Sequence, residues 1–189
     1  MLLGELEVAL DVGRQLDKLG VSWLLGGSLA SSILGEPRAT ADVDLVADLR
    51  GRHVSALFAA LVDTYYVDEA ATQAAVRARS GFNVIQLASM TKVDIYCAKD
   101  EPLAREELAR RIYIDVGGQQ MPCASAEDII LQKLLWFREG GGVSDRQWRD
   151  IRGVIKVQGD RLDRGYLDRH ARDHAVDDLL QRALQQAVG

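Results

Sequence analysis

The residues in this chain whose types and spacing could do chemistry are one glycine turn and three carboxylates. Gly26-Gly27-Ser28 is followed fourteen residues on by Asp42-Val43-Asp44, and Asp94 stands inside the apolar run Val93-Asp94-Ile95-Tyr96. On an extended chain, residues two apart point to the same side at a spacing of about 7 Å. Asp42 and Asp44 would therefore face one way while Val43 and Leu45 are free to enter a core. Strands are depleted in Asp, and two like charges on one face repel unless a cation lies between them. A two-metal phosphoryl-transfer site uses such a pair, because carboxylates hold hard cations that polarise a phosphate and stabilise the attacking and leaving oxygens. If the strand of Asp94 neighbours theirs, Asp94 would be the third ligand or the base that accepts a hydroxyl proton. The plainer alternatives are a solvated strand end for the pair and an amphipathic edge strand for Asp94.

The glycine turn fits the same chemistry. Residues 21–25 read as a short buried strand and residues 28–34 as a helix, so the glycines lie at a strand-to-helix turn. The first N–H groups of a helix lack partners within it, and the helix dipole adds partial positive charge there. Glycine admits φ > 0 and a close anion, and Ser28 can cap the helix or donate its hydroxyl to a phosphate oxygen. Alone, the motif is equally an ordinary turn with an N-cap. Together, turn and carboxylates are the parts of a site that would hold a nucleoside triphosphate on divalent metal and pass on its nucleotidyl group.

Two further charged residues stand out. Ile129, Ile130, Leu134 and Phe137 recur at helical spacing behind a capping Ser125, and Lys133 lies on or beside that apolar stripe. A lysine there snorkels or meets an anion, and a triphosphate is the anion of interest. Asp150 stands four residues after Arg146, which by itself suggests a surface i,i+4 pair.

Gly26-Gly27-Ser28, then Arg38-Ala39-Thr40-Ala41-Asp42-Val43-Asp44-Leu45, then a lone Asp in an apolar strand, resembles the nucleotidyltransferase fold of the DNA polymerase β superfamily. The Arg-x-Thr-x-Asp-x-Asp spelling, the Ser125-Ala126-Glu127-Asp128 helix start with Lys133, and Arg146-x-x-x-Asp150 resemble small bacterial nucleotidyltransferases related to AbiEii-type toxins. The resemblance spans about residues 20 to 155 and is more specific in its first half. It implies that Gly26, Gly27, Ser28, Arg38 and Thr40 bind the nucleotide, and that Asp42, Asp44 and Asp94 bind two Mg²⁺ and do the catalysis. It further implies that Lys133 neutralises phosphate charge, that Asp150 is the late acidic residue, and that an NTP such as ATP is substrate. A tRNA acceptor and a cognate antitoxin would be the partners. Gln147 departs from the pattern, standing where an acidic residue is usual. A transferase for a small molecule such as an aminoglycoside or lincosamide, and a catalytically silent nucleotide-binding module, are the competing readings.

Charge bears on that choice. With 23 Lys and Arg against 28 Asp and Glu, the net charge of −5 lacks the basic surplus usual for gripping nucleic acid. Arg105, Arg110 and Arg111 form one candidate basic group. Arg161, Arg164, Arg169 and Arg172 form another, but alternate with Asp160, Asp163, Asp168 and Asp173, as solvated helix faces do. No apolar run has transmembrane length, and the N-terminus lacks the basic start of a secretion signal, so no membrane partner and a cytoplasmic protein are expected. Cys97 and Cys123 have no metal-ligand spacing and read as reduced structural thiols, and His53, His170 and His174 form no constellation.

The elements that must position these residues follow from periodicity. A helix over residues 5–19 precedes the strand, turn and short helix, which Pro37 ends; the Asp42 strand, a helix through Val54, Leu57, Phe58 and Leu61, a strand near 65–67 and an Ala-rich helix come next. Strands at 82–87 and 92–96 can form a hairpin, and Ile112–Val116 pairs with residues 119–121 across Gly117-Gly118. From Ser125 only helices are expected, with Gly140-Gly141-Gly142 separating the Lys133 helix from one capped by Ser144. The fold class is α/β (α+β): a nucleotidyltransferase-type mixed sheet flanked by helices over residues 1–122, with a helical C-terminal part over 123–189.

Overall fold

A computed structural model describes residues 2–40 and 42–187. The chain divides into two compact units, Met1–Leu29 with Ala39–Ala124, and Ala30–Arg38 with Ser125–Gly189. The early segment Ala30–Arg38 thus groups with the C-terminal helices.

The first unit is built on a mixed sheet of seven strands: β1 (Trp23–Leu25), β2 (Val43–Ala47), β3 (Tyr65–Tyr66), β4 (Gly81–Gln86), β5 (Lys92–Cys97), β6 (Ile112–Val116) and β7 (Gln119–Cys123). Their order is β3-β4-β5-β2-β1-β7-β6; β2 pairs with β5, and β1 with β7, in parallel, and every other neighbour is antiparallel. Alternation decides which face is core. Val43, Leu45 and Ala47 of β2 and Val93, Ile95 and Cys97 of β5 are buried, which sends Asp44, Lys92, Asp94 and Tyr96 to the opposite face. Helices α1 (Leu2–Lys18), α3 (Val54–Leu61), α4 (Glu69–Ala78) and α5 (Pro102–Arg110) belong to this unit, and α1 buries Leu6, Ala9, Leu10, Val12 and Leu16 along one stripe.

Most elements form where periodicity places them, with shifts at the ends. β1 has only three residues, and β2 begins at Val43, so Asp42 stands just ahead of the ladder. β5 is not an edge strand: the β4–β5 hairpin lays β4 along one side of it and β2 lies along the other, so the edge reading of Asp94 is corrected. Arg111 caps α5 rather than lying within it.

Helix α2 (Gly27–Leu34) begins in the first unit and ends in the second. The second unit continues with α6 (Ala126–Glu139), α7 (Asp145–Gln158), α8 (Arg164–Asp173) and α9 (Asp177–Ala187). Ser125, Ser144 and Asp163 each accept the N–H of the residue three positions on, as N-caps do. Ile130, Leu134, Ile151, Val154, Leu167 and Leu180 fill the core, and the Phe137 and Trp148 rings pack at 4.9 Å. Among the described residues no helix is long and apolar enough to cross a membrane.

Candidate active site

The carboxylates of β2 and β5 are brought side by side. In the parallel ladder Asp44 is the register partner of Asp94, as Val43 is of Val93 and Leu45 of Ile95, so both acids leave the same face from neighbouring strands. Each is half-buried. Asp42 is exposed, one residue before the strand, and its charge still reaches Lys92 and Tyr96 on β5.

Asp44 also touches the start of α2. The Gly26 N–H donates to the Asp44 carbonyl at 2.9 Å, which joins the turn to β2, and the Ser28 N–H points to Asp44 Oδ2 at 3.4 Å. Gly27 has φ +58, and a Cβ there would lie 1.9 Å from Asp44 Oδ2. Only glycine leaves that space, so the partly positive helix start and the Asp44 carboxylate share one spot. Gly26 makes no such demand, since its added Cβ would meet Val46 at an ordinary 3.8 Å. Thr40 Oγ1 is buried and lacks a hydrogen-bond partner among the described residues.

Lys92 supplies the positive charge of this face. Its Nζ lies 2.7 Å from Asp94 Oδ2, and that hydrogen bond holds the ammonium pKa above its usual value, outweighing partial burial. Burial first, and then the fields of Asp44 and Asp94, push the Tyr96 phenol up. Among the described residues no set of three or more His, Cys, Asp and Glu is arranged to hold a metal ion. What the site offers a hard dication is carboxylates at register positions of neighbouring strands, oxygen donors of the right chemistry, and a place on Asp94 where a cationic side chain already sits. Lys92 and Tyr96 are not in the motif; the signal that could have found them is their i−2 and i+2 spacing from Asp94 on a strand.

Arg38, Lys133 and Asp150 meet one another within the second unit. Arg38 Nε and Nη2 reach Asp150 Oδ1 and Oδ2 at 2.7 and 2.9 Å, and Lys133 Nζ reaches Oδ2 at 2.9 Å. Lys133 does not snorkel; it is 3% exposed, and the anion it meets is Asp150. Asp150 pairs with Arg38 and Lys133 rather than making the expected i,i+4 pair with Arg146 as its partner. Burial raises the Asp150 pKa, but the hydrogen bonds and charges of Arg38 and Lys133 outweigh it and hold the carboxyl below its ordinary value. Gln147 gives its N–H to the Ser144 cap, and its buried Oε1 has no partner among the described residues.

Four of the candidate arginines make local contacts. Arg111 donates to the Leu108 carbonyl, Arg161 to those of Val157 and Gln158, and Arg172 to that of Asp168, while Arg169 lies over the Tyr166 ring. Cys97 and Cys123 are buried free thiols, and burial pushes Cys123 up to about 12. A hollow of about 380 Å³ bordered by Asp17, Ser22, Trp23, Arg111, Tyr113 and Gln120 lies toward the opposite end of β1 from the glycine turn.

No protein-family model matches this sequence, and no curated protein matches it. Solved structures do. An antigenic nucleotidyltransferase-like protein from Paracoccidioides brasiliensis superposes with a TM-score of 0.58 at 19% identity, covering 96% of this chain and 93% of that one. The antibiotic-resistance factor ANT(2'')-Ia, in its solution structure, gives 0.56 at 14% identity over 96% of this chain and 99% of its own. The lincosamide antibiotic adenylyltransferase LnuA, bound to lincomycin, gives 0.52 at 15% identity over 82% and 96%. The chain has a nucleotidyltransferase-type fold.

Proposed function

We propose that this chain is a Mg²⁺-dependent nucleotidyltransferase that moves a nucleoside monophosphate from an NTP to the hydroxyl of a small molecule. The observation that carries the reading is the register pairing of Asp44 with Asp94, with the Gly27–Ser28 start of α2 set against the Asp44 carboxylate. When bound, Mg²⁺ on Asp42, Asp44 and Asp94 would neutralise triphosphate charge and ease departure of pyrophosphate. The N–H groups of Gly27 and Ser28, the Ser28 hydroxyl and Thr40 Oγ1, which has no partner among the described residues, are the donors for phosphate oxygens. The acceptor oxygen bonds to the α-phosphorus as the bond from that phosphorus to pyrophosphate breaks, and the hydroxyl proton passes to Asp94 or to solvent.

A small acceptor is favoured by three facts. Two of the structures sharing the fold are named for antibiotics, the chain is acidic, and Arg111, Arg161, Arg169 and Arg172 make local contacts. The second reading, a toxin-like enzyme acting on tRNA and checked by an antitoxin, rests on the Arg38-x-Thr40-x-Asp42-x-Asp44 spelling. Both readings place the protein in the cytoplasm, where NTPs are made.

Each labelled NTP with Mg²⁺ and an aminoglycoside and lincosamide panel, bulk tRNA, or the protein alone separates them. A labelled small molecule whose formation depends weakly on salt is expected. A labelled tRNA, with affinity falling steeply on a log–log salt plot, selects the second reading. Transfer at the wild-type rate by Asp44→Asn with Asp94→Asn refutes both.

A further inference from the structure

The carboxylate face carries its own counter-ion. Lys92 stands on β5 two residues before Asp94, so both side chains leave the same side of the strand. Asp44 faces Asp94 across the ladder, Asp42 lies just ahead of β2, and Lys92 adds the one ammonium among these four groups. Like charges on neighbouring strands disfavour a sheet, and the Lys92 ammonium places a cation on one of the two carboxylates. The Lys92 side chain is 44% exposed and that of Asp94 20%, so the ammonium reaches a half-buried carboxylate from the solvent side on a flexible stem. An ion pair of that exposure is weak and easily exchanged.

We propose that Lys92 stands in for the divalent cation on Asp94 and is displaced when metal binds, so that it sets the metal affinity of the site. It is a positioning residue, holding Asp94 in place in the metal-free protein. The inference rests on the reading of Asp44 and Asp94 as metal ligands.

The test uses the whole chain and Mn²⁺ alone, with affinity read by calorimetry or by the spin-resonance signal of free Mn²⁺, and melting temperature read in chelator. Lys92→Met is expected to bind Mn²⁺ about fivefold more tightly, the displacement of one weak ion pair having been removed. Its metal-free melting temperature should fall, and Asp94→Asn in the Lys92→Met background should restore it. Lys92→Arg keeps the charge and should stay near wild type. Lys156→Met removes an exposed lysine paired with Glu36 in the second unit and should leave Mn²⁺ affinity unchanged. Equal or weaker Mn²⁺ binding by Lys92→Met overturns this inference and leaves the metal site standing. If the wild type binds no Mn²⁺, the metal-site reading falls and this inference with it.

Discussion

Replacing Gly27 by alanine separates the backbone demand of the turn from its chemical role. The new Cβ would lie 1.9 Å from Oδ2, 2.4 Å from Cγ and 2.6 Å from Cβ of Asp44, so the carboxylate must move by about 1 Å or more. A displacement of that size at a reacting centre costs on the order of 10²-fold in rate. The φ of +58 adds about 1–2 kcal/mol of backbone strain for any L side chain. Gly20→Ala is the matched control: its φ is +67, but nothing lies within 4 Å of an added Cβ. Gly20→Ala should melt roughly 2–8 °C lower, given about 2–4 °C per kcal/mol for a chain of this size, and Gly27→Ala, which adds the clash with Asp44, at least as much. Only Gly27→Ala should lose nucleotidyl transfer, measured as kcat/KM with the acceptor that the labelled-NTP assay reveals. Gly26→Ala, with no positive φ and an ordinary 3.8 Å contact, should stay near wild type in both. Wild-type transfer by Gly27→Ala would refute the placement of Asp44 at the reacting centre.

The triad of the second unit gives two more tests. Asp150→Ala leaves buried Lys133 and half-buried Arg38 without their shared carboxylate and should cost about 3–5 kcal/mol, whereas Lys133→Met leaves Arg38 on Asp150 and should cost about 1–2 kcal/mol, both read from urea unfolding. Because the folded pKa of Asp150 is lowered, its contribution is fully present above the unfolded value of about 3.9 and is lost as pH falls through the folded value. The stability gap between wild type and Asp150→Asn should therefore be constant from neutral pH to about 5 and narrow below about 4; a gap that widens on acidification would contradict the pairing.

The parts of the site that are legible in the sequence are those whose partners lie within a turn or a strand. Gly27, Ser28 and Asp44 announce themselves because a strand-to-helix turn and a two-residue carboxylate spacing are local patterns. A lysine two residues before an acid on a strand is equally local, so the Lys92–Asp94 pair is legible too once alternation is applied to every charge and not to the acids alone. Asp150 shows the limit. Its nearby partner would be Arg146, but Arg38 reaches it from 112 residues away and Lys133 from 17, and nothing in a window of helix length carries that information. The pairing of β2 with β5 is of the same kind, because it depends on which strands the intervening helices and hairpin bring together. The chemistry depends on that pairing to the residue. With Val43 and Leu45 committed to the core, a slip of β5 by one position would set Val93 or Ile95 beside Asp44 and turn Asp94 into the apolar face. The burial of Val93 and Ile95 is therefore what holds the two carboxylates together, and the core-facing half of β5 enforces the geometry that its polar half uses.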